Sequence, residues 1–363
     1  MPKRMVFDRW LFFAAGALAL FGLFMVGSAS NYKAMKDMES ASGYLIKHLI
    51  FLFAGFAGLF AALSFPYQKL SNRTLVLCSL LATVGGLLLV LAMPARGGAH
   101  RWIFAGPIQI QPSEIAKLTV ILFMAWMLSR KDERVNEFQA VCLPSLLAVG
   151  LILGLVVIEP DLGTAVIIAS TAFVMIFVAG LSLRWIAGAG LLGVLGMIAA
   201  IAMEPYRLER IRAFLNPGTE ALGTNFQLNQ SLIAIGSGGI SGVGLGMGQQ
   251  KAYYLPEAHT DFIYSVTGEE LGLIGATGLL LTFIVIFWRG LRAAWRAPDR
   301  FGFYLALGVT SVIVIQALVN IGVCVGLLPT KGLPLPLVSY GGSSLVVSMT
   351  AIGVLLNVSQ HSN

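Results

Sequence analysis

The sequence predicts an all-α polytopic membrane protein: a bundle of about ten transmembrane helices, with one large extracytoplasmic loop between the seventh and the eighth. Three observations carry that prediction. Hydrophobic residues fill 57% of the 363 positions and charged residues only 11%, against roughly 25% charged in a soluble domain. The mean hydropathy is +0.83. Uncharged runs recur at about the 20 residues a helix needs to cross the hydrocarbon core. Together these exclude a secreted disulfide scaffold, a cytosolic enzyme and a disordered tail protein. Cys78, Cys142 and Cys324 lie in or beside apolar runs without metal-type spacing, so neither a disulfide framework nor a zinc site is indicated. The net charge of +7 is dispersed between hydrophobic spans, as membrane-flanking charge is, and points away from nucleic acid.

In order, the spans fall at 10–29, 45–66, 74–94, 112–129, 139–158, 162–182, 185–204, 262–288, 302–328 and 339–358. The fourth opens with Glu114 and Lys117, and the eighth is interrupted by Glu269 and Glu270. The first has too long an apolar stretch for a cleaved signal peptide, without a small-x-small site near 28–32, and reads as a retained helix. Between spans seven and eight, residues 204–261 are amphipathic and Gly-rich, too long for an ordinary connection. Phe214, Leu222, Phe226, Leu228, Leu232, Ile233 and Ile235 argue against disorder there and predict short helices lying on the membrane surface. No internal repeat supports an inverted-repeat transporter, and 1–363 reads as a single domain.

Ten spans put both termini on one side. If that side is cytoplasmic, the inner segments hold 13 of the 24 bases, among them Lys3, Arg4, Lys131, Arg134, Arg289, Arg292 and Arg296. Arg207, Arg210, Arg212 and Lys251 sit in the long loop, where the positive-inside rule counts for little. Of the 17 acids, 12 lie outside or toward the outer half, so function is to be sought at the outer face.

Ionisable groups at membrane depth are expensive and each invites a functional reading. Arg101 precedes the run 111–117, in which Pro112 suits a first helical turn and Glu114 its positive end. Glu114 and Lys117, three apart, either neutralise each other or shape a site. Glu159 and Asp161 stand at a tight external corner, where turn formation is the plainer reading. Glu257, His259, Thr260 and Asp261 converge where the long loop meets the eighth span; a helix cap accounts for Asp261 but not for its neighbours. Lys331 and the run holding Ser339 and Ser343 close the set. Helix packing suits most of those small residues, whereas Lys331 either snorkels or holds a phosphate. Residues 236–248 are glycine-rich yet fit no G-x-G-x-x-G register, no Walker A run occurs, and the four histidines lack metal-ligand spacing.

These stretches resemble the SEDS family (shape, elongation, division and sporulation proteins). The matching runs are Arg101-Trp102, Gln-Pro-Ser-Glu-Ile-Ala-Lys (111–117), Glu-Pro-Asp-Leu-Gly-Thr-Ala (159–165) and Gln-Ser-Leu-Ile-Ala-Ile-Gly-Ser-Gly-Gly (230–239). Further along come Tyr-Leu-Pro-Glu-Ala-His-Thr-Asp-Phe-Ile (254–263), Gly-Glu-Glu-Leu-Gly (268–272), Leu-Pro-Thr-Lys-Gly-Leu-Pro-Leu-Pro (328–336) and Ser-Tyr-Gly-Gly-Ser-Ser (339–344). Pro-Glu-Ala-His-Thr-Asp with Pro-Thr-Lys-Gly looks more like the cell-division branch than the elongation branch. The resemblance implies a ten-helix peptidoglycan glycosyltransferase that polymerises lipid II at the outer face of the bacterial cytoplasmic membrane, at the division septum, with both termini cytoplasmic. It implies a class B penicillin-binding protein as transpeptidase partner, beside other division or elongation proteins. The family's essential carboxylate maps onto Asp261, and its Gln-Pro-Ser-Glu-x-Ala-Lys pair onto Glu114 and Lys117. Lipid II flipping, or a non-catalytic scaffold for the transpeptidase, are the rival readings.

On that resemblance, Asp261 is expected to be the general base, ionised at neutral pH by its helix N-terminus. The departing pyrophosphate needs charge compensation, which Arg101, Lys117, Lys331 or a divalent cation (magnesium or manganese) could supply. Glu159, Asp161, Glu257, His259, Thr260, Ser339 and Ser343 are expected to line the substrate site. No organic cofactor is implied.

Overall fold

The computed structural model describes residues 7–36, 41–94, 100–105, 108–130, 137–215, 225–253, 255 and 257–361. Lys3, Arg4, Lys131, Arg134, Leu222, Tyr254 and Pro256, used above, lie outside them. All ten expected spans are helices: α1 (Arg9–Lys36), α2 (Ala41–Ser64), α3 (Arg73–Leu91), α4 (Pro112–Arg130), α5 (Leu143–Ile158), α6 (Leu162–Val178) and α7 (Leu183–Ala202), then α11 (Ile263–Trp295), α12 (Arg300–Cys324) and α13 (Gly342–His361). Between α7 and α11 lie α8 (Pro205–Leu215), α9 (Phe226–Gly238) and the single turn α10 (Gln250–Tyr253). Eight of these helices are long and apolar enough to cross a membrane; α5 and α6 are apolar but shorter. Among the described residues the one strand pair, β1 (Ile103–Ala105) against β2 (Ile108–Ile110), is a small antiparallel hairpin that leads into α4.

Local sequence sets the boundaries. Asp8, Asn72, Asp161 and Asp299 accept the Leu11, Thr74, Thr164 and Gly302 N–H groups and start α1, α3, α6 and α12, each covering a donor the helix cannot pair itself. Pro112, whose missing N–H costs nothing in a first turn, opens α4. The ninth span ends at Cys324, four residues before its expected end, and 325–341 form an irregular segment tied to the outer face.

The core is centred on α4, α12 and α13, most of whose residues are buried. Helix α7 is peripheral, with Leu183, Leu191, Leu192 and Leu195 all exposed. That suits a chain solvated by lipid, which gains nothing by hiding leucine. Close helix contact is made through small residues: a Cβ on Gly353 of α13 would lie 2.4 Å from the Leu59 carbonyl of α2.

The eighth span is not one continuous helix. Gly272 (φ 65°, ψ −160°) breaks α11 nine residues past its start. Residues 239–244 fill the break. Val243 and Gly244 donate N–H groups to the carbonyls of Glu269 (3.0 Å) and Glu270 (3.0 Å), and Leu273 and Ile274 donate to those of Gly239 (2.9 Å) and Ile240 (3.2 Å). In an unbroken helix 273 and 274 would bond to 269 and 270. The inserted chain therefore takes over both halves of two helical hydrogen bonds, which lipid could not satisfy. A Cβ on Gly242 would lie 2.1 Å from the Glu270 carbonyl, so only glycine fits. The expectation that 204–261 forms short helices lying on the membrane surface and packing over the bundle is corrected in one respect: residues 239–244 reach the opened backbone of α11 below its start, while Ile240, Val243, Leu245 and Met247 stay exposed. Gly238 and Gly242 serve close backbone contact with α11, and Gly239, Gly244 and Gly246 serve left-handed turns (φ 55°, 106° and 81°).

Candidate active site

The turn 257–262 carries Asp261 immediately before α11. Glu257 adopts a left-handed backbone (φ 55°), a conformation that needs outside support in a non-glycine residue. The support is visible. The Glu257 carbonyl accepts from the N–H groups of Thr260 (3.1 Å) and Asp261 (3.2 Å), and Thr260 Oγ1 donates to Glu257 Oε2 (3.3 Å). From α12, Asn320 Nδ2 donates to the carbonyls of Asp261 (2.8 Å) and Leu333 (2.7 Å). Ser339 Oγ donates to the Thr260 carbonyl, and the Tyr340 N–H to the His259 carbonyl (2.9 Å). The His259 ring is buried in a cluster with Tyr44 and Tyr340 at centroid distances of 5.8 and 5.6 Å. Three segments distant in sequence thus fix one backbone.

The Asp261 carboxylate itself does not cap. The residue flanking α11 is Phe262, and no side chain bonds to the first turn. Burial, together with the Glu257 charge, raises the Asp261 carboxyl from 3.8 to about 7, while Arg210 and Arg101 pull it down and Asp161 adds to the rise. The expected full ionisation by the helix end is therefore corrected: desolvation and a like charge outweigh the dipole. A carboxyl poised near neutrality is a better proton acceptor than an ordinary one, since a base works best with a pKa near the operating pH.

Beside Asp261 is a cavity of about 150 Å³ between the start of α6, the ends of α7 and α8, and residues 329–332. Four cations line it: Arg101, Arg207, Arg210 and Lys331. Arg207 Nη1 donates to the Ala200 carbonyl (2.7 Å) and Arg210 Nη1 to that of Thr330 (3.1 Å), so both are aimed by backbone. Arg101 donates to the carbonyls of Glu159 and Pro160 at the α5–α6 corner. Burial lowers the Lys331 ammonium from its usual range. Gly332 joins cavity and carboxylate: it lines the one, and its Cβ would lie 3.2 Å from Asp261 Oδ2. An anion held by the four cations would sit beside the Asp261 carboxyl.

The other expected residues divide. Asp161 lines the cavity, yet its oxygens are occupied by the Thr164 N–H, Gln111 Nε2 (2.9 Å) and Ser113 Oγ (3.2 Å), which join α6 to the start of α4. Glu159 is fully buried behind the corner, and burial with the Asp161 charge raises its carboxyl to about 8, Arg101 opposing. Glu114 and Lys117 form the expected ion pair (2.7 Å), buried inside the bundle. Lys117 Nζ also donates to Gln316 (2.7 Å), whose Nε2 donates to the Pro334 carbonyl (2.8 Å). The structure does not bring Glu114, Lys117, Glu159, Glu257, His259, Thr260, Ser339 or Ser343 to the cavity wall, and Asp261 meets it only across Gly332; Ser343 Oγ is buried without a partner among the described residues. Ser339 acts through backbone, as above.

Sequence reasoning missed Arg207, Arg210, Asn320 and Gly332. The first two carry a readable signal: arginines three apart beside Tyr206 on an amphipathic stretch share one helix face. Asn320 and Gly332 carry none, because their role exists only once 257–262 and 329–341 meet.

Among the described residues no three His, Cys, Asp or Glu side chains form a group able to hold a metal ion. The acids nearest Asp261 are Glu257, hydrogen-bonded to Thr260, and the saturated Asp161. This donor set does not fit a resident cation.

Deeper in α11, Glu270 is engaged through both oxygens and Glu269 through Oε1, while Glu269 Oε2 is buried without a hydrogen-bond partner among the described residues. Glu269 Oε1 accepts from the N–H groups of Gln249 (2.7 Å) and Gln250 (3.0 Å); Glu270 accepts from Ser28 Oγ (2.8 Å) and the Gly246 N–H (3.1 Å) and pairs with Lys251.

The FtsW/RodA/SpoVE family, described as cell cycle proteins, matches residues 8–363. The chain belongs to that family. It is 41% identical over 357 residues to a probable peptidoglycan glycosyltransferase FtsW of Trichlorobacter lovleyi, covering 97% of this chain and 93% of that one. It is also 41% identical over 352 residues to stage V sporulation protein E of Bacillus subtilis, covering 95% and 94%. Among solved structures, a chain of a peptidoglycan synthase complex superposes with a TM-score of 0.80 at 31% identity, over 98% of both chains. The rod shape determining protein RodA of Thermus thermophilus superposes at 0.72 and 28% identity, over 99% and 98%. The family expected from the motifs is the family found.

Proposed function

We propose that this membrane protein is a peptidoglycan glycosyltransferase that polymerises lipid II, with Asp261 as general base. The observation that supports this reading is the shared wall at Gly332: a carboxyl raised to about 7 stands directly behind a cavity lined by four cations. Both substrates are sugars on a polyprenyl pyrophosphate, with the sugar in water and the lipid in the bilayer. Asp261 takes the proton from the acceptor hydroxyl as that oxygen bonds to the donor's anomeric carbon. The bond from that carbon to pyrophosphate breaks, and the electron pair leaves with the phosphate oxygen. The leaving group departs as an anion, so it needs fixed positive charge rather than a second acid. Arg101, Arg207, Arg210 and Lys331 supply that charge; Arg207, bonded through all three nitrogens to Tyr206, Ala200 and Val157, contributes as a fixed charge, while Arg210 has N–H groups left for phosphate oxygens.

The names and assemblies of the relatives support two further parts of the reading. The chain works beside a class B penicillin-binding protein that cross-links the strands, and it does so in the bacterial cytoplasmic membrane at the division septum. The depth of α11 offers little to the flippase reading, because Glu269 and Glu270 already hold backbone and Lys251. The test is purified protein, with and without the transpeptidase, incubated with lipid II and read for glycan strands. Asp261→Asn should yield none while the melting temperature is unchanged. Near-normal strand formation by that variant would remove Asp261 from the reaction.

A further inference from the structure

We propose that the end of the bundle opposite Asp261 carries a binding site for the headgroup of an anionic phospholipid. A cleft of about 620 Å³ opens there between α1 and α11, with Ser359 of α13 at its back. Arg9, Arg289, Arg292 and Arg296 line it. Positions 289, 292 and 296 are three and four apart and share one face of α11.

One of the four charges is already used. Asp8 accepts from Arg289 Nε (2.7 Å) through Oδ2, while its Oδ1 caps α1 through the Leu11 N–H (3.1 Å). The Asp8 N–H donates to Ser359 Oγ (3.1 Å), which draws α1, α11 and α13 together at the cleft floor. Arg9, Arg292 and Arg296 are exposed and have no acidic partner among the described residues. The cleft therefore carries a net +3 over its lining residues, on a floor too well tied to be a loose surface.

Its rim decides what fits. Trp10 and Phe13 line the same cleft and are 68% and 66% exposed. Trp295 and Trp288, on the same part of α11, are also exposed. Indole rings at the end of a span belong at the headgroup level, and an exposed Phe13 one turn further in faces acyl chains. An occupant must be anionic above and hydrocarbon below. A soluble anion satisfies only the upper half, and an acidic peptide would leave Phe13 in lipid unaccompanied. Phosphodiester oxygens match guanidinium forks, and basic clefts between helices at a membrane face are suited to phospholipid headgroups. The inference is independent of the glycosyltransferase reading, since none of these residues touches the Asp261 site.

The full chain, released from nanodiscs of equal parts phosphatidylglycerol and phosphatidylcholine, can be weighed by native mass spectrometry with its retained lipids. The wild type should retain phosphatidylglycerol in excess. Arg292→Gln with Arg296→Gln should reduce that excess by about fivefold per arginine removed, and the paired Lys variants should keep most of it. Arg9→Gln, on a different helix, should act in the same direction and serves if the α11 pair impairs folding. Retention of both lipids in the supplied ratio by the wild type, or an undiminished excess in the Gln variants, would overturn the site. Arginine-dependent capture of poly-glutamate by a chain indifferent to phosphatidylglycerol would give the cleft to an acidic protein segment and equally overturn it.

Discussion

Asp261 and Glu270 are nine residues apart, one half-buried in the turn before α11 and the other fully buried within it, and the two carboxylates behave in opposite ways. Glu270 has Lys251, Ser28 and the Gly246 N–H within hydrogen-bonding reach, so both of its oxygens are engaged by structure. Asp261 has its backbone held from three sides while its carboxylate faces Gly332 and a cationic cavity. Depth alone does not mark function. A satisfied carboxylate builds the bundle, whereas one whose backbone is fixed and whose side chain is left to titrate can do chemistry.

The largest expected effect comes from erasing the side that titrates. Asp261→Asn should lower lipid II polymerisation by about 10²–10⁴-fold, with thermal unfolding in detergent unchanged. The contrasting variant is Lys251→Met. It strands Glu270 as a buried, unpaired charge, which costs about 3–5 kcal/mol, and should show as a lower melting temperature and yield rather than a selective loss of turnover. If Lys251→Met proved as stable as wild type but inactive, the contrast between the two carboxylates would collapse.

Smaller changes sharpen it. Gly332→Ala places a methyl 3.2 Å from Asp261 Oδ2; polymerisation should fall about tenfold with little change in stability, since misplacing a catalytic group by a fraction of an ångström is costly to rate alone. A rate equal to wild type would mean that the carboxylate moves before reacting. The smallest effect is in pH. In the proposed mechanism Asp261 reacts as the anion, so the rate should rise as pH increases through about 7. Glu257→Gln removes a like charge that raises that carboxyl, so the acidic limb should move to lower pH by less than about one unit. A shift to higher pH would show that Glu257 stabilises the anion instead.

How much of this was legible in the sequence depends on distance along the chain. All ten spans were readable, because twenty apolar residues have few other uses, and Pro112 marked the start of α4. The Glu114–Lys117 pair followed from i,i+3 spacing. Asp261 was found through its motif, but its ionisation was misjudged: the helix-end argument is local, while the burial and the Glu257, Arg210 and Arg101 charges that set its pKa come from the fold. Arg207 and Arg210 were discounted as long-loop charge, although their spacing was visible. The glycines at 236–248 stood out and matched no ligand motif. Their true partner, the opened backbone at 269–274, could not be inferred from either segment alone.

That splice in α11 bears on how the chain is assembled. Ile263–Leu271 and the part beyond Gly272 are not a finished rod that can be delivered to the bilayer and packed later; between them stand two donors and two acceptors whose mates lie some thirty residues upstream. The earlier segment must be waiting at the right depth when the later one arrives. Its length is then as binding as its composition. One residue added or removed between Gly239 and Gly244 would slip every mate by a position and leave polar backbone stranded in hydrocarbon, as a zip fails when a single tooth is out of step.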